Sequence, residues 1–120
     1  MQDTGSENLF ARIKMLSEAA GLPGVECGTS YGRPALKVGG KGFASVKDAG
    51  TVVIAISIQD KELLIEMAPQ IYYQTDHYVG WPSLPLRAGA ISDEELKQRL
   101  IDAWRFRAPP KQRAAFDGQR

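Results

Sequence analysis

One cysteine and one histidine are all the chain holds of the two residue types that most often carry metal or nucleophilic chemistry. Cys27 alone closes no internal disulfide, so the fold owes nothing to an oxidising compartment. Cys27 and His77 lack the paired spacings of a zinc site, and Asp76-His77 offers two ligands at most. Nor does the sequence bring the pair together with a third, orienting group, as nucleophilic catalysis requires. The expectation is therefore a non-enzymatic protein with no cofactor and no metal, in which Cys27 is a small, partly buried residue near a strand start. Long apolar runs are also missing. The longest, Val52 to Ile56, is strand-sized and far short of the ~18 residues a membrane span needs. The opening Met1-Gln2-Asp3-Thr4-Gly5-Ser6-Glu7 has no basic-then-apolar leader pattern, and the expected location is the cytoplasm. A charge excess is absent too: 15 Lys and Arg against 14 Asp and Glu leave +1, far from the basic balance that announces nucleic-acid binding outright.

What is present is enough for one core. At 120 residues, 43% hydrophobic and 24% charged, the chain suits a single soluble domain rather than two or a disordered polymer. Its charge is unevenly placed. Residues 31–50 sum to +3 and residues 105–120 to +4, while residues 1–30, 51–80 and 81–104 carry −2, −3 and −1. The positive groups are thus Arg33, Lys37, Lys41 and Lys47 in one stretch, and Arg105, Arg107, Lys111, Arg113 and Arg120 in the other. Runs this short are also common on ordinary solvated surfaces.

Helical spacing of Leu9, Ile13, Leu16 and Ala20 predicts an amphipathic helix from about Ser6, closed by Gly21 and Pro23. Short Gly-punctuated runs follow. Val38-Gly39-Gly40-Lys41 is a two-residue hairpin signal, because glycine adopts the positive φ that primed turns demand. Its register would set Leu36 opposite Phe43 on the core face. Asp48-Ala49-Gly50 makes the next turn, and Val52, Ile54, Ile56 and Ile58 alternate as an internal strand. Asp60 is placed to cap a short helix from Lys61 to Ala68 with Leu63, Leu64 and Met67 inward. Ile71 to Tyr73 reads as a strand. Leu84 to Arg87 can be one only at an edge, since Pro85 donates no ladder hydrogen bond. Ser92-Asp93-Glu94-Glu95 is a capping box, and Leu96, Leu100, Ala103 and Trp104 line the helix behind it, which ends near Phe106 before Pro109-Pro110. Residues 111–120 have little to bury and are expected to form a flexible basic tail on a domain of residues 1–110. Helix, tight antiparallel strands, short helix, strands, helix is the order of an α+β two-layer sandwich: an antiparallel sheet covered by N- and C-terminal helices.

Several segments together carry a resemblance: Leu22-Pro23-Gly24-Val25-Glu26; GTSYGRPALKVGGKGFA from Gly28 to Ala44; APQIYYQTDHYVGWPSLPLR from Ala68 to Arg87; and ISDEELKQRLIDAWR from Ile91 to Arg105. In sequence and order they resemble the MmcQ/YjbR family over roughly residues 6–110. The resemblance implies a frataxin (CyaY)-like fold and a DNA-binding role through a double wing of hairpin elements. Frataxin's acidic iron-binding surface is not matched, because the first helix balances Glu7 and Glu18 with Arg12 and Lys14.

Two binding readings remain. In the first, Arg33, Lys37, Lys41 and Lys47 on or beside a β-hairpin, helped by Arg87 and the basic tail, contact the phosphates of double-stranded DNA, and Tyr31, Tyr73, Tyr78 and Trp81 stack on bases. In the second, the aromatic segment 72–81, with His77 among its polar groups, forms a recessed site for a small ligand or a protein partner. Tyr78 and Trp81 can equally pack against the sheet beneath a proline-stiffened loop, with His77 a hydrogen-bonded loop residue. Gly39-Gly40-Lys41-Gly42 lacks the strand–loop–helix setting of a phosphate loop and reads as a turn. A monomer is expected rather than an obligate oligomer.

Overall fold

The computed structural model describes residues 4–118. Its chain runs α1 (Thr4–Ala19), β1 (Glu26–Ser30), β2 (Arg33–Val38), β3 (Lys41–Asp48), β4 (Thr51–Ala55), α2 (Ile58–Met67), a 3-10 turn (Asp76–Tyr78), β5 (Ser83–Arg87), α3 (Asp93–Arg107) and α4 (Pro110–Asp117). Every strand joins its sequence neighbour antiparallel, giving a five-stranded meander in the order β1-β2-β3-β4-β5. Two-residue turns dictate this from β1 to β4, while α2 and its following loop connect β4 to β5. Gly39 and Gly40 take φ of 58° and 80°, and Tyr31 and Gly32 take 52° and 77°, so both hairpins close through the doubly positive conformation of a primed turn.

Cross-strand pairing sorts the side chains into two faces. Leu36, Ala44, Ile54 and Leu84 lie in one row across the sheet, and Val46, Val52 and Leu86 in the next. These rows are buried against Leu9, Ile13 and Leu16 of α1 and Leu96, Leu100, Ala103 and Trp104 of α3. The fold is therefore the expected α+β sandwich, with the first helix and α3 on one face. Arg12 joins the two helices: it pairs with Asp93 at 2.7 Å and donates to the Ala88 and Ile91 carbonyls at 2.8 and 2.9 Å. Ser92 caps α3 by accepting from the Glu95 amide at 3.1 Å, while the Glu95 carboxylate accepts a 2.5 Å bond from the Tyr72 hydroxyl. Burial, then that bond, pushes the Tyr72 hydroxyl far above its usual range.

Several local expectations are corrected. Leu36 pairs with Ala44, because a bulge leaves Phe43 as an extra residue on β3, and Phe43 is nonetheless buried. The alternating strand stops at Ala55. Ser57, not Asp60, caps α2 by accepting from the Asp60 amide, and Ile58 opens that helix half-exposed. The inward stripe of α2 is Lys61, Leu64, Ile65 and Ala68, spaced i, i+3, i+4, i+7, while Leu63 and Met67 face solvent. Residues 71–73 contribute one bridge, Tyr72 to Leu86, at the outer edge of β5. Cys27 is exposed, because β1 is an edge strand open along most of its length.

The largest correction concerns the C-terminal residues. Pro109-Pro110 ends α3 but also begins α4, since a proline in the first turn has no amide to lose and its φ is already helical. Phe116 then turns inward, only 6% exposed, with its ring edge-on to Trp104 at 5.2 Å between centroids. Arg105 binds Asp117 at 2.6 Å across the same junction. Residues 119 and 120 lie outside the described part.

A candidate nucleic-acid interface on the open face of the sheet

The face away from α1 and α3 holds the other half of each strand's alternation. Arg33, Ala35 and Lys37 of β2 project there, with Ser45 and Lys47 of β3, Thr51 and Val53 of β4, and Ser83, Pro85 and Arg87 of β5. Lying over its middle is Tyr78, delivered by the 3-10 turn and 6% exposed. Its hydroxyl takes a 3.3 Å hydrogen bond from the Arg33 guanidinium, and its ring carries the Lys47 ammonium 5.6 Å from the centroid. One aromatic side chain thus gathers two cations from different strands.

The loop that carries Tyr78 is held from beneath. Lys61, 2% exposed, donates to the Tyr78 carbonyl at 2.6 Å and the Trp81 carbonyl at 3.0 Å. Desolvation lowers its pKa below the usual lysine value, with Glu62 acting weakly in the opposite sense. Gly80 takes φ of 79°, which lets the chain turn sharply between the anchored positions. Trp81 is thereby displayed rather than buried, with 62% of its surface exposed.

Between this loop and the β1–β2 turn runs an open cleft of about 810 Å³. Tyr31, Arg33, His77, Tyr78, Trp81 and Arg107 supply its larger functional side chains, and Ser30, Ser45 and Ser83 its hydroxyls. His77 stands perpendicular to Tyr78, 5.0 Å between ring centroids. Among the described residues, no carboxylate lines the cleft. Among the described residues, Arg33, Lys37, Lys47 and Arg107 are in no ion pair. Glu26 is the acidic residue directly opposite Lys37 in the ladder.

Most of the residues singled out in the sequence therefore converge. Tyr31, Arg33, His77, Tyr78 and Trp81 share the cleft, and Lys37 and Lys47 share its face of the sheet. Lys41 does not. It pairs with Val38 at the hairpin end, so its side chain leaves toward the helical layer. Arg87 is on the open face, but its guanidinium lies on Tyr73 at 4.2 Å and donates to the Pro69 and Gln70 carbonyls at the far edge. Tyr73 is occupied by that contact and by Thr51, 3.4 Å from its hydroxyl. Tyr78 and Trp81 part company, the first packed on the sheet and the second exposed.

The C-terminal basic residues from Arg105 on split in the same way. Arg105 is taken by Asp117, which raises its pKa, and Arg113 by the Ala108 carbonyl. Among the described ones, Arg107 alone reaches the cleft. The sequence reading named Arg107 only within the C-terminal basic stretch and missed Lys61 as a part of this site. Arg107 was legible only as one of a basic run, and Lys61 carried no signal at all, since lysine is seldom fully buried. No cluster of three or more His, Cys, Asp or Glu able to hold a metal exists among the described residues. No helix among them is long and apolar enough to cross a membrane.

An α+β domain with a meander sheet, helices on one face and a cationic, aromatic-lined opposite face is the class these features define. The YjbR family profile matches residues 20–106, and the chain belongs to that family. Similar curated proteins are Uncharacterized protein Rv2570 of Mycobacterium tuberculosis and Uncharacterized protein Mb2600 of Mycobacterium bovis. Each is 28% identical over 67 residues, which cover 53% of this chain and 52% of the relative. The chain thus spans about half the length of the curated relatives it matches. No solved structure matches it.

Proposed function

We propose that this protein binds DNA, without catalysing a reaction, through the open face of its sheet. The observation that carries the reading is the set Arg33, Lys37, Lys47 and Arg107: Arg33 and Arg107 line the cleft, Lys37 and Lys47 stand on the sheet face beside it, and none is in an ion pair among the described residues. Phosphates are the ligands such an arrangement attracts, because each contact releases condensed counterions. The double-wing role implied by the family resemblance points the same way. So does the helix–meander–helix order, which supports the frataxin-like arrangement. Cys27, exposed and without a disulfide partner, favours the cytoplasm.

A second reading is favoured by the cleft itself. Its volume lies within the ~300–1,000 Å³ range of small-molecule sites, and its aromatic walls with a few polar groups suit an anionic aromatic ligand. Binding of labelled duplex DNA at low salt, with a screen of anionic metabolites by thermal shift alongside, separates the two. The DNA reading expects binding by the wild type and its loss in the double variant Arg33→Glu/Lys47→Glu. Absence of binding by the wild type at low salt, with a metabolite raising the melting temperature, overturns it in favour of the small ligand.

A further inference from the structure

Tyr31 is the least economical residue in the fold. It sits at the first central position of the β1–β2 turn with φ of 52°, the left-handed region that glycine, asparagine and aspartate adopt most readily. It is the one non-glycine residue with positive φ among those described. Strain of this kind is ordinarily offset by packing, yet the Tyr31 side chain has none to offer, since the residue is 98% exposed. Nothing in the folding of the hairpin calls for an aromatic ring at that point. Backbone strain without a structural return is characteristic of binding sites.

Trp81, the other exposed aromatic of the cleft, stands on the loop side. Its backbone is fixed by the Lys61 bond to its carbonyl and by the 3.1 Å bond from its amide to the Tyr78 carbonyl. The indole is therefore presented from a rigid support, so little conformational freedom is lost when a ligand stacks on it. Arg33 and Arg107 supply positive charge at the same cleft, and Ser30, Ser45 and Ser83 supply groups that both donate and accept hydrogen bonds.

This combination does not suit the side of an intact duplex. Paired bases present only their edges, and their π faces are covered by stacking, whereas exposed tyrosine and tryptophan gain most from an uncovered base. We infer that the cleft between the β1–β2 turn and the loop 75–82 receives an unpaired nucleobase, stacked on Trp81 and Tyr31 with its flanking phosphates on Arg33 and Arg107. The preferred ligand is then single-stranded nucleic acid or a strand with an extruded base. The inference rests on the proposed DNA reading and narrows it.

The test uses the full chain and fluorescence anisotropy of end-labelled strands about twelve nucleotides long. The probes are a mixed-sequence DNA strand, its blunt duplex, a strand of abasic sugar–phosphate units and the RNA form of the same sequence. The DNA strand is expected to bind at least tenfold more tightly than the duplex or the abasic strand. It should also quench the emission of Trp81, while Trp104, fully buried, is insensitive. Tyr31→Ala and Trp81→Ala should each weaken single-strand binding by about 5- to 150-fold, so that the preference for the single strand over the duplex and the abasic strand is lost. Tyr31→Asn keeps a residue suited to the turn while removing the ring, so its loss of binding cannot be assigned to unfolding. Equal affinity for all DNA probes, with the aromatic variants inert, overturns the base-stacking inference and leaves DNA binding standing. No binding to any probe overturns both. Preference for the RNA strand with loss in the aromatic variants keeps the stacking site and overturns DNA as its source.

Discussion

Removing single cations and measuring how binding responds to salt turns the geometry of the open face into a number. If Arg33, Lys37, Lys47 and Arg107 each neutralise one phosphate, log K falls against log salt with a slope of about −3.6 on duplex DNA. Raising salt from about 50 to 200 mM then weakens binding by about 150-fold. On a single strand the slope is about −2.8 and the loss about 50-fold. Lys37→Ala removes one contact and should reduce the duplex slope by about 0.9. Lys41→Ala should leave it unchanged, even though Lys41 is only four residues away, because its pairing with Val38 sends it to the helical side. Anisotropy titrations at five salt concentrations, with wild type and both variants, give the three slopes. Equal reductions from Lys37→Ala and Lys41→Ala would refute the assignment of faces. A wild-type slope near zero would refute phosphate contact altogether.

Two predictions concern stability. Phe116→Ala should destabilise the protein by roughly 3 kcal/mol, the usual order for truncating a buried phenylalanine, since it empties the site beside Trp104. A urea midpoint unchanged from wild type would mean that α4 adds nothing to the core. Lys61→Met isolates a pH effect whose sign follows from the lowered lysine pKa. Between that lowered value and the ordinary 10.5, the unfolded chain holds a proton the folded chain has released, so stability rises with pH toward 10.5. The neutral amine still has two N–H groups for the Tyr78 and Trp81 carbonyls, so the loop keeps its support. Wild type should therefore gain stability relative to Lys61→Met as alkaline pH is approached. A relative decline, read from paired urea midpoints, contradicts the assignment.

Local pattern alone made much of the fold legible. The Gly39-Gly40 turn, the stripe of Leu9, Ile13 and Leu16, and the Ser92 cap each rest on interactions within a few residues, and each is found where the pattern placed it. Residue chemistry then named Arg33 among the cations and Tyr31, Tyr73, His77, Tyr78 and Trp81 among the stacking or ligand candidates before any of them had a position in space. Errors arose where a residue's partner lies far along the chain. Leu63 and Met67 look like an inward stripe, but Lys61 is buried in their stead, because two carbonyls some twenty residues on need donors. Phe116 looks stranded in a polar tail, but Trp104 leaves it a surface to cover.

Which side of the sheet a charge occupies was likewise beyond the sequence. Arg33, Lys37, Lys41 and Lys47 form one basic run in the chain, and a single bulge at Phe43 together with the pairing of Val38 and Lys41 separates them into three on the open face and one on the other. Composition and short-range periodicity determined that helices and an antiparallel meander would form, because turns and amphipathic stripes are local. The cleft was decided only by tertiary structure: it exists because buried Lys61 pins one loop against a sheet face that the helices leave uncovered.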